Sequence, residues 1–452
     1  MKPISIFLVL VVAMLETGCA SYQSQPLSLM PSWPTEISRL EIDSSKIPLS
    51  ALPSHKFDPN DGLDMTEVAM IAVANNPALM LARDDTGIAG AQAFSAGLLP
   101  DPQFGFSPQF PQNAIAGQNV TAFDLGLTYD FGAIMTHSLR NAEARSDRRN
   151  ADLALLWQEW QVVGQSRLLF SRICSRKNLL SILKENRDLA ELRYARDKAA
   201  LAREDLPLTA AAVDENTLQT IDKQINETMR LLEKDRFALN DLLGLAPSTQ
   251  LNLVGDADFS DLNKQEIAHR LSNLAKIRPD LMALQAGYEA QDMRLRQAIL
   301  SQFPAINAGF VIARDNTGIN YQGFSLSLSL PIFNRNQGNI AVAQATRKRM
   351  HDEFQIRLNQ AYSDVEQILP DQDLLQAQLV QLNNELVTLA LISGRSEAAY
   401  NVGDMDLSGY SILKDVEISK KVERNAVEES ILEERIALAT LLGGQLPVRE
   451  SE

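Results

Sequence analysis

The chain has 452 residues, and 45% of them are hydrophobic, which is enough apolar material for a sizeable folded core. Lysine and arginine number 42 against 57 aspartates and glutamates, so the formal net charge is −15. No basic run offsets this acidity, which argues against a protein that binds the phosphates of nucleic acids.

The N-terminus resembles a secretory signal. Lys2 precedes an apolar stretch from Ile4 to Leu15 that is too short to remain as a membrane-spanning helix. Small residues then lead to a cysteine, as in a bacterial lipobox, so we expect a signal peptide over residues 1–18 and a diacylglycerol and an acyl chain on Cys19. Glu16 occupies a lipobox position that is usually aliphatic, so a plain cleaved signal is the alternative.

A linker and a first set of elements follow. Residues 19–61 are rich in serine and proline without a sustained period, which is typical of an extended segment. A helical pattern begins at Asp64, and Pro77 restarts it in a favourable first-turn position. Apolar and polar residues then alternate over about 103–108 and 120–131, which predicts two strands of a hairpin.

The next segment is far longer than a globular domain needs. No proline interrupts the chain from about Ala133 to Ala202, and one helix of that length would reach on the order of 100 Å at 1.5 Å per residue. Aliphatic residues recur every seven residues in this segment and in the return segment after it. Such stripes are typical of coiled-coil seams; they include Leu155, Val162, Leu169, Leu218, Ile225, Leu232 and Leu239.

The same order of elements returns roughly 200 residues later, which indicates an internal duplication. The landmarks that match are Pro77 with Pro279, Leu99-Pro100 with Phe303-Pro304, Leu139–Ala144 with Ile340–Ala345, and Leu242-Leu243-Gly244 with Leu441-Leu442-Gly443. We therefore divide the chain into repeat 1 over 62–244, an acidic side insertion over 245–265, repeat 2 over 266–444 and a tail over 445–452. Repeat 2 has its own strands at about 304–313 and 321–330.

Four strands are too few to close a barrel within one chain, and lipid does not tolerate an open sheet edge. Either the sheet is soluble or several chains contribute strands to one barrel. Three copies would supply twelve strands, which leave an open lumen. The polar or small residues expected on the lumen side are Asp124, Thr128, Asp130, Asn307, Ser325, Ser327 and Ser329.

These features together resemble the TolC family of outer-membrane efflux ducts. The residues that carry the resemblance are Cys19, Ala74–Leu79, Leu99–Pro102, Leu330–Asn334 and the turn Tyr400–Gly403. The resemblance implies an internally duplicated α+β membrane protein. It implies a homotrimer with a twelve-stranded β-barrel, four strands per chain, in outer-membrane lipid, continued by a long periplasmic α-helical coiled-coil barrel. It also implies two partners, a periplasmic adaptor (membrane fusion) protein and an inner-membrane transporter.

The resemblance places the periplasmic entrance at the two turns between long helices, near 199–208 and 403–410. It implies adaptor contacts at Arg203, Leu206, Gly403, Leu407, Ser408 and Tyr410. Acidic residues of the turns, Asp205, Asp404 and Asp406, are candidates to ring the aperture, although solvated turn residues are the alternative. In the first turn, Asp197 stands where a glycine is expected.

We expect neither an enzyme nor a bound metal. The four histidines have no ligand spacing, and no glycine-rich phosphate loop is present in the sequence. The sequence therefore predicts a passive export duct at the bacterial outer membrane, anchored by lipid and extending into the periplasm. The competing hypothesis is a periplasmic scaffold or adaptor in which long helical hairpins bind partners and the strands form a soluble sheet.

Overall fold

The computed structural model describes residues 21–34, 57–58, 61–112, 120–255 and 263–443. The proposed signal peptide, Cys19 and the tail over 445–452 lie outside these residues. The described part contains four strands, β1 Gln103–Gln109, β2 Ala122–Asp130, β3 Ala305–Arg314 and β4 Asn320–Ser329. It also contains the helices α1 Met65–Asn75, α2 Pro77–Gly97, α3 Phe131–Ala202, α4 Leu208–Leu242, α5 Lys264–Ser272, α6 Leu274–Ile277, α7 Pro279–Leu300, α8 Gln337–Val402 and α9 Leu407–Leu442.

The first helices begin at strong local signals. Asp64 accepts hydrogen bonds from the first backbone N–H groups of α1, and Glu67 bonds back to the Asp64 N–H, which completes a capping box. Asn76 caps α2, and Pro77 occupies its first turn, where a missing N–H costs nothing. The cap residue and the proline therefore end α1 and start α2 with only Asn76 between the two helices.

The four strands form one antiparallel sheet in the order β1-β2-β3-β4, which confirms the expected four-stranded sheet. The two hairpins are joined through β2 and β3, so the sheet links the two repeats. Phe131, which we expected at the end of the second strand, instead begins α3. Asp130 causes this change, because its carboxylate accepts a hydrogen bond from the Ala133 N–H and caps the helix.

The two long helices run without a break for 72 residues in α3 and 66 in α8. The heptad stripe of α3 is buried, with Leu155, Val162 and Leu169 each less than 10% exposed. Pro370 lies inside α8. A proline has no backbone N–H to donate, so α8 lacks one helical hydrogen bond at this position although the helix continues through it.

Each long helix packs against its return helix, α3 with α4 and α8 with α9. The two hairpins meet through α3 and α9, which leaves α4 and α8 on the outer sides of this four-helix layer. The short helix α7 packs against both α3 and α8, whereas its counterpart α2 packs mainly against α3.

The largest apolar core lies where α1 meets α3 and the end of α4. It contains Val68, Ile71, Phe170 and Leu239, all essentially inaccessible to solvent. The segment after repeat 1 returns to this core, where Leu63 and Leu253 form a parallel bridge. The insertion predicted over 245–265 is two residues too long, because Asn263 caps α5 and the helix begins at Lys264.

None of the described helices alone combines the length and hydropathy that a bilayer crossing requires. Taken together, α1 and α2 are long and apolar enough, but they meet at a bend of 46°. Most residues of α1 are buried in the core just described, which accounts for its apolar composition.

Candidate functional site

The register of the sheet brings the predicted lumen residues together on one face. Residues directly opposite each other in an antiparallel ladder project to the same side. Asp130 lies opposite Asn307, and Asn307 lies opposite Ser327, so one row runs across three strands. The remaining members follow from the same pairing: Asp124, Thr128, Ser325 and Ser329. We call this side the polar face.

The opposite side of the sheet is almost wholly apolar, and we call it the apolar face. Two pairs of aromatic rings lie on it, Phe106 with Phe123 at 6.4 Å and Phe310 with Phe324 at 5.9 Å between centroids. The face also includes Phe104, Leu125, Leu127, Ile306, Ile312, Leu326 and Leu328. Arg314, Asn320 and Gln322 end it at the edge nearest the hairpin loops, so the apolar band has a polar border.

The described part of the chain leaves the apolar face uncovered. Phe324 is 94% exposed and Leu326 is 67% exposed. Soluble monomers rarely expose a contiguous apolar surface of this kind. Such a surface is typical of a region that contacts lipid or another protein. The two outer strands, β1 and β4, each have one side that pairs with no other described strand. The sheet is therefore open at both edges.

The turn between α3 and α4 is a compact, exposed tip. The N–H of Asp205 bonds to the carbonyl of Ala200, which closes α3 with a C-terminal capping turn. Arg203 Nε donates to Asp205 Oδ2 at 2.9 Å. Leu206 is half-buried beside them. Glu204 has a φ of +63°, a left-handed conformation that costs a non-glycine residue about 1 kcal/mol.

The turn between α8 and α9 repeats this geometry. Gly403 ends α8 with a φ of +86°, and the Asp404 N–H bonds to the carbonyl of Ala399. Asp406 caps α9 by accepting a hydrogen bond from the Gly409 N–H at 2.8 Å. Asp404 and Ser408 are exposed, so they remain available to a partner or to the aperture.

Two expectations about the tips need correction, those for Asp197 and Leu407. Asp197 does not replace a glycine; it lies within α3, and the residue equivalent to Gly403 is Glu204, because both adopt the left-handed conformation after a long helix. Leu407 cannot be a surface contact, because only 2% of it is exposed. Tyr410 is half-buried and stacks on Tyr400 with centroids 5.3 Å apart, so the pair joins α8 to α9.

Polar side chains connect the two hairpins along α3 and α9. From the sheet toward the tips, Arg172 bonds to Glu433 at 2.5 Å, Ser175 to Glu429 at 2.6 Å and Asn178 to Asn425 at 2.8 Å. Further toward the tips, Lys414 binds Glu185 at 2.8 Å. Lys414 also binds Glu417. Burial alone would raise the pKa of Glu417, but hydrogen bonds from Lys421, Ser393 and Lys414 outweigh this effect and hold the pKa at about 2.

One arginine near the tips contacts both hairpins. Arg193 of α3 forms ion pairs with Asp214 of α4 and, at 2.8 Å, with Asp415 of α9. Burial raises the pKa of Asp415 despite this arginine. The pKa of Asp197 is also raised, by burial and then by its hydrogen bond to Asp214. The positive charge of Arg193 therefore offsets the charges of three carboxyl groups. The sequence alone did not reveal this cluster, because its residues come from three helices.

A second carboxyl pair joins α8 to α9 beside Pro370. Asp371 hydrogen-bonds to Glu434 of α9. Burial, followed by this hydrogen bond and the charge of Asp371, raises the pKa of Glu434 from 4.5 to about 7. The pair shares a proton below about pH 7 and becomes two repelling charges above it.

Because the folded chain holds the Glu434 proton more tightly than the unfolded chain, this pair stabilises the fold at low pH. That contribution is lost as the pH rises from about 4.5 through about 7. In Glu434→Gln the amide keeps a donor for Asp371 but does not titrate. We expect the difference in Tm between about pH 5 and about pH 8 to shrink in this variant, measured by circular dichroism in detergent. An unchanged difference would mean that other groups cause it.

Several solved structures share this fold. The chain aligns with CusC, described for its transmembrane channel formation, with a TM-score of 0.68 at 17% identity, over 92% of this chain and 100% of that chain. It aligns with the outer membrane protein VceC of Vibrio cholerae with a TM-score of 0.68 at 14% identity, over 84% and 96%. For the open MtrE outer membrane channel of Neisseria gonorrhoeae the TM-score is 0.67 at 15% identity, over 94% and 98%.

No protein-family model and no curated protein matches the sequence. Three of the solved structures that align, OprN, CmeC and MtrE, are described as outer-membrane channels. At these identities the alignments establish a shared fold over nearly the whole chain.

Proposed function

Starting from the shared fold of outer-membrane channels, we propose that this chain is one subunit of a passive exit duct in the bacterial outer membrane. The observation that carries the proposal is the division of the sheet into a polar face and an exposed apolar face. An apolar face that no described helix covers fits lipid, and a polar face fits a water-filled lumen. A soluble scaffold would need to cover the apolar face with its own chain.

We propose a homotrimer, because open sheet edges that face lipid need strands from other copies to pair with them. In the chain, β2 of repeat 1 pairs with β3 of repeat 2. The same relation between copies pairs β4 with β1 of the next copy, and three copies then close a barrel of twelve strands with no lipid-exposed edge. The helices support the same arrangement, because α4 and α8 lie at the outer sides of the four-helix layer and each can meet the other in a neighbouring copy.

The duct we propose does no energy-coupled chemistry. A periplasmic adaptor and an inner-membrane transporter would therefore deliver the substrate and provide the energy for transport. The tips support this assignment, because they form the end of the helical layer that is farthest from the sheet. Arg203, Asp205, Asp404 and Ser408 are exposed there and can contact an adaptor. In a threefold assembly, carboxylates that face the axis would be present three times and would favour cations at the aperture.

Lipid on Cys19 would hold the mature N-terminus at the membrane. We expect cells that express the protein to incorporate radiolabelled palmitate into it, and Cys19→Ala to abolish that labelling. Cys174→Ser, which leaves the proposed lipobox intact, is the control and should label normally. Labelling that persists in Cys19→Ala would refute the lipidation site.

The function itself is tested by extracting the full-length protein in detergent and adding it to planar bilayers. We expect a trimer by native mass spectrometry and discrete conductance steps in the bilayer. A monomer that forms no conducting pores would refute the duct and favour the periplasmic scaffold. Identification of the adaptor by cross-linking in cells would then address the transported substrate.

A further inference from the structure

Arg314 is the only charged residue that the described strands place on the apolar face of the sheet. It is the last residue of β3 and lies opposite Phe123 of β2 and Asn320 of β4. Strand β3 has 10 residues and spans roughly 30 Å, with Ile306 near its other end. Arg314 therefore marks one end of the apolar band rather than its middle.

The side chain of Arg314 extends toward the loop of its hairpin and away from the apolar band. Gly318 lies in that loop, and a Cβ added to this glycine would contact Arg314 Nη2 and Val120. Long cationic side chains adopt this direction at the edge of an apolar surface, because the aliphatic stem stays among apolar groups while the charge reaches a polar layer. The guanidinium therefore lies at the level of the hairpin loops.

No carboxylate in the described part of the chain pairs with Arg314, and its Nε is buried without a hydrogen-bond partner. The adjacent Asp315 uses both carboxylate oxygens within the loop. Its Oδ1 accepts hydrogen bonds from Thr317 and Ile319, and its Oδ2 accepts one from the Tyr321 hydroxyl at 2.7 Å. Tyr321 belongs to the polar face of the sheet, so these bonds hold the Asp315 carboxylate on the other side of the hairpin from Arg314.

Strand β4 adds hydrogen-bond donors beside this arginine. Asn320 lies directly opposite Arg314, and Gln322 follows on the same face; both are exposed. Opposite residues of an antiparallel pair have Cβ atoms about 5 Å apart, and the diagonal neighbour is within reach of a long side chain. Residues 113–119 of the other hairpin loop lie outside the described residues and include no aspartate or glutamate. The corner of the sheet therefore combines one cation with two amide donors.

This corner lies at the end of the sheet that is farthest from the helices. Helix α3 begins at Phe131, directly after β2, and α7 ends at Leu300, shortly before β3, so the helices attach at the opposite end. In the proposed duct the helices extend into the periplasm and the hairpin loops face the exterior. Arg314 would then lie at the depth of the outer-leaflet headgroups, and phosphorylated glycolipids are the main lipids of that leaflet in bacterial outer membranes.

We propose that Arg314, together with Asn320 and Gln322, binds a phosphate group of an outer-leaflet glycolipid, with one such site on each subunit. This inference rests on the proposed duct and adds a lipid ligand to it. A guanidinium can donate two parallel hydrogen bonds to a phosphate, and the two amides can donate to its remaining oxygens. The acyl chains would lie along Ile312 and Phe310 on the apolar face. The unpaired cation at the edge of an apolar surface favours an anionic lipid over a neutral one.

Titration of the delipidated full-length protein with diphosphoryl lipid A in detergent, followed by native mass spectrometry, tests the site. We expect up to three bound lipids per trimer, and Arg314→Gln should raise the Kd at least about tenfold. Arg230→Gln, which removes an exposed arginine of α4 far from the sheet, is the matched control and should bind normally. Lipid A without its phosphates should bind wild type and Arg314→Gln equally weakly. An excess of inorganic phosphate should not displace the lipid; displacement would indicate a site for free phosphate and overturn the inference.

A second variant keeps the test decisive if Arg314→Gln assembles poorly. Asn320→Asp retains the arginine but places a carboxylate opposite it, so the internal ion pair should compete with phosphate and weaken lipid A binding to a similar extent. Equal binding of diphosphoryl lipid A by wild type and either variant would overturn the inference, and the proposed duct would stand if those trimers still conduct in bilayers. A wild-type chain that is monomeric and forms no pores would instead refute the proposed function, and this inference with it.

Discussion

Replacing Leu326 by arginine is expected to remove the protein from the outer-membrane fraction. Leu326 lies in the middle of β4 on the apolar face and is 67% exposed in the chain. An arginine at the lipid-facing midplane of a barrel costs roughly 2–4 kcal/mol, and a trimer would carry this cost three times. Trimer yield in the membrane fraction, measured on semi-native gels, should fall below detection.

The neighbouring residue provides a matched control for this substitution. Ser325 lies on the polar face of the same strand, opposite Gly309. Ser325→Arg introduces the same charge at nearly the same depth, but into the lumen, so we expect normal trimer yield and a smaller single-channel conductance. Equal yields for Leu326→Arg and Ser325→Arg would show that the two faces do not differ in environment, which would exclude the membrane barrel.

Replacing Arg193 by methionine is expected to have the second largest effect, by loosening the contact between the two hairpins. The arginine side chain is 20% exposed and bonds to Asp214 and Asp415. Its removal leaves three carboxyl groups close together in a partly buried site, and the loss of one partner of such a cluster costs about 2–3 kcal/mol after allowance for its exposure. Limited proteolysis near the tips and thermal unfolding in detergent would measure the loss.

The pH dependence separates electrostatics from lost packing. The pKa values of Asp197 and Asp415 are already raised, so these groups take up protons readily as the pH falls. Without Arg193 the repulsion among the ionised carboxylates disappears on protonation, so the variant should recover stability at low pH. Arg187→Met removes an arginine from the same helix that is 36% exposed and pairs with the partly exposed Asp222, so it should lower stability less than the Arg193 variant and should not show this recovery at low pH. A pH-independent loss in the Arg193 variant would indicate packing instead.

Local patterns in the sequence predicted the strands and the division of their faces. Alternation within each strand needs no information about its neighbours, so Ser325 and Leu326 could be assigned to opposite faces from the sequence alone. The solved structures that align with the chain confirm the coarser part of the fold implied by the resemblance to the TolC family, a helix-rich chain with one four-stranded antiparallel sheet, whereas the trimer and the closed barrel stay predictions. Glycine at position 403 likewise marked the end of a helix.

Features that depend on several elements could not be predicted in this way. Arg193 meets carboxylates from α4 and α9, which are 21 and 222 residues away in the sequence. Leu407 follows an exposed turn but is buried, because its side chain points back into the helical layer rather than toward solvent. Glu204 adopts a left-handed conformation without being glycine, so composition did not mark the first tip.

The open sheet also bears on how the protein reaches its place of assembly. A single chain presents unpaired backbone groups along β1 and β4 together with a row of exposed aromatic rings, a combination that favours aggregation before a barrel can form. The long helical hairpins involve mostly local contacts and can fold early, whereas the strands gain closed pairing only when other copies arrive. We therefore expect the yield of trimer to depend on how fast subunits associate relative to how fast they misassemble. Subunit concentration and binding of the single chain by a chaperone should both affect that yield.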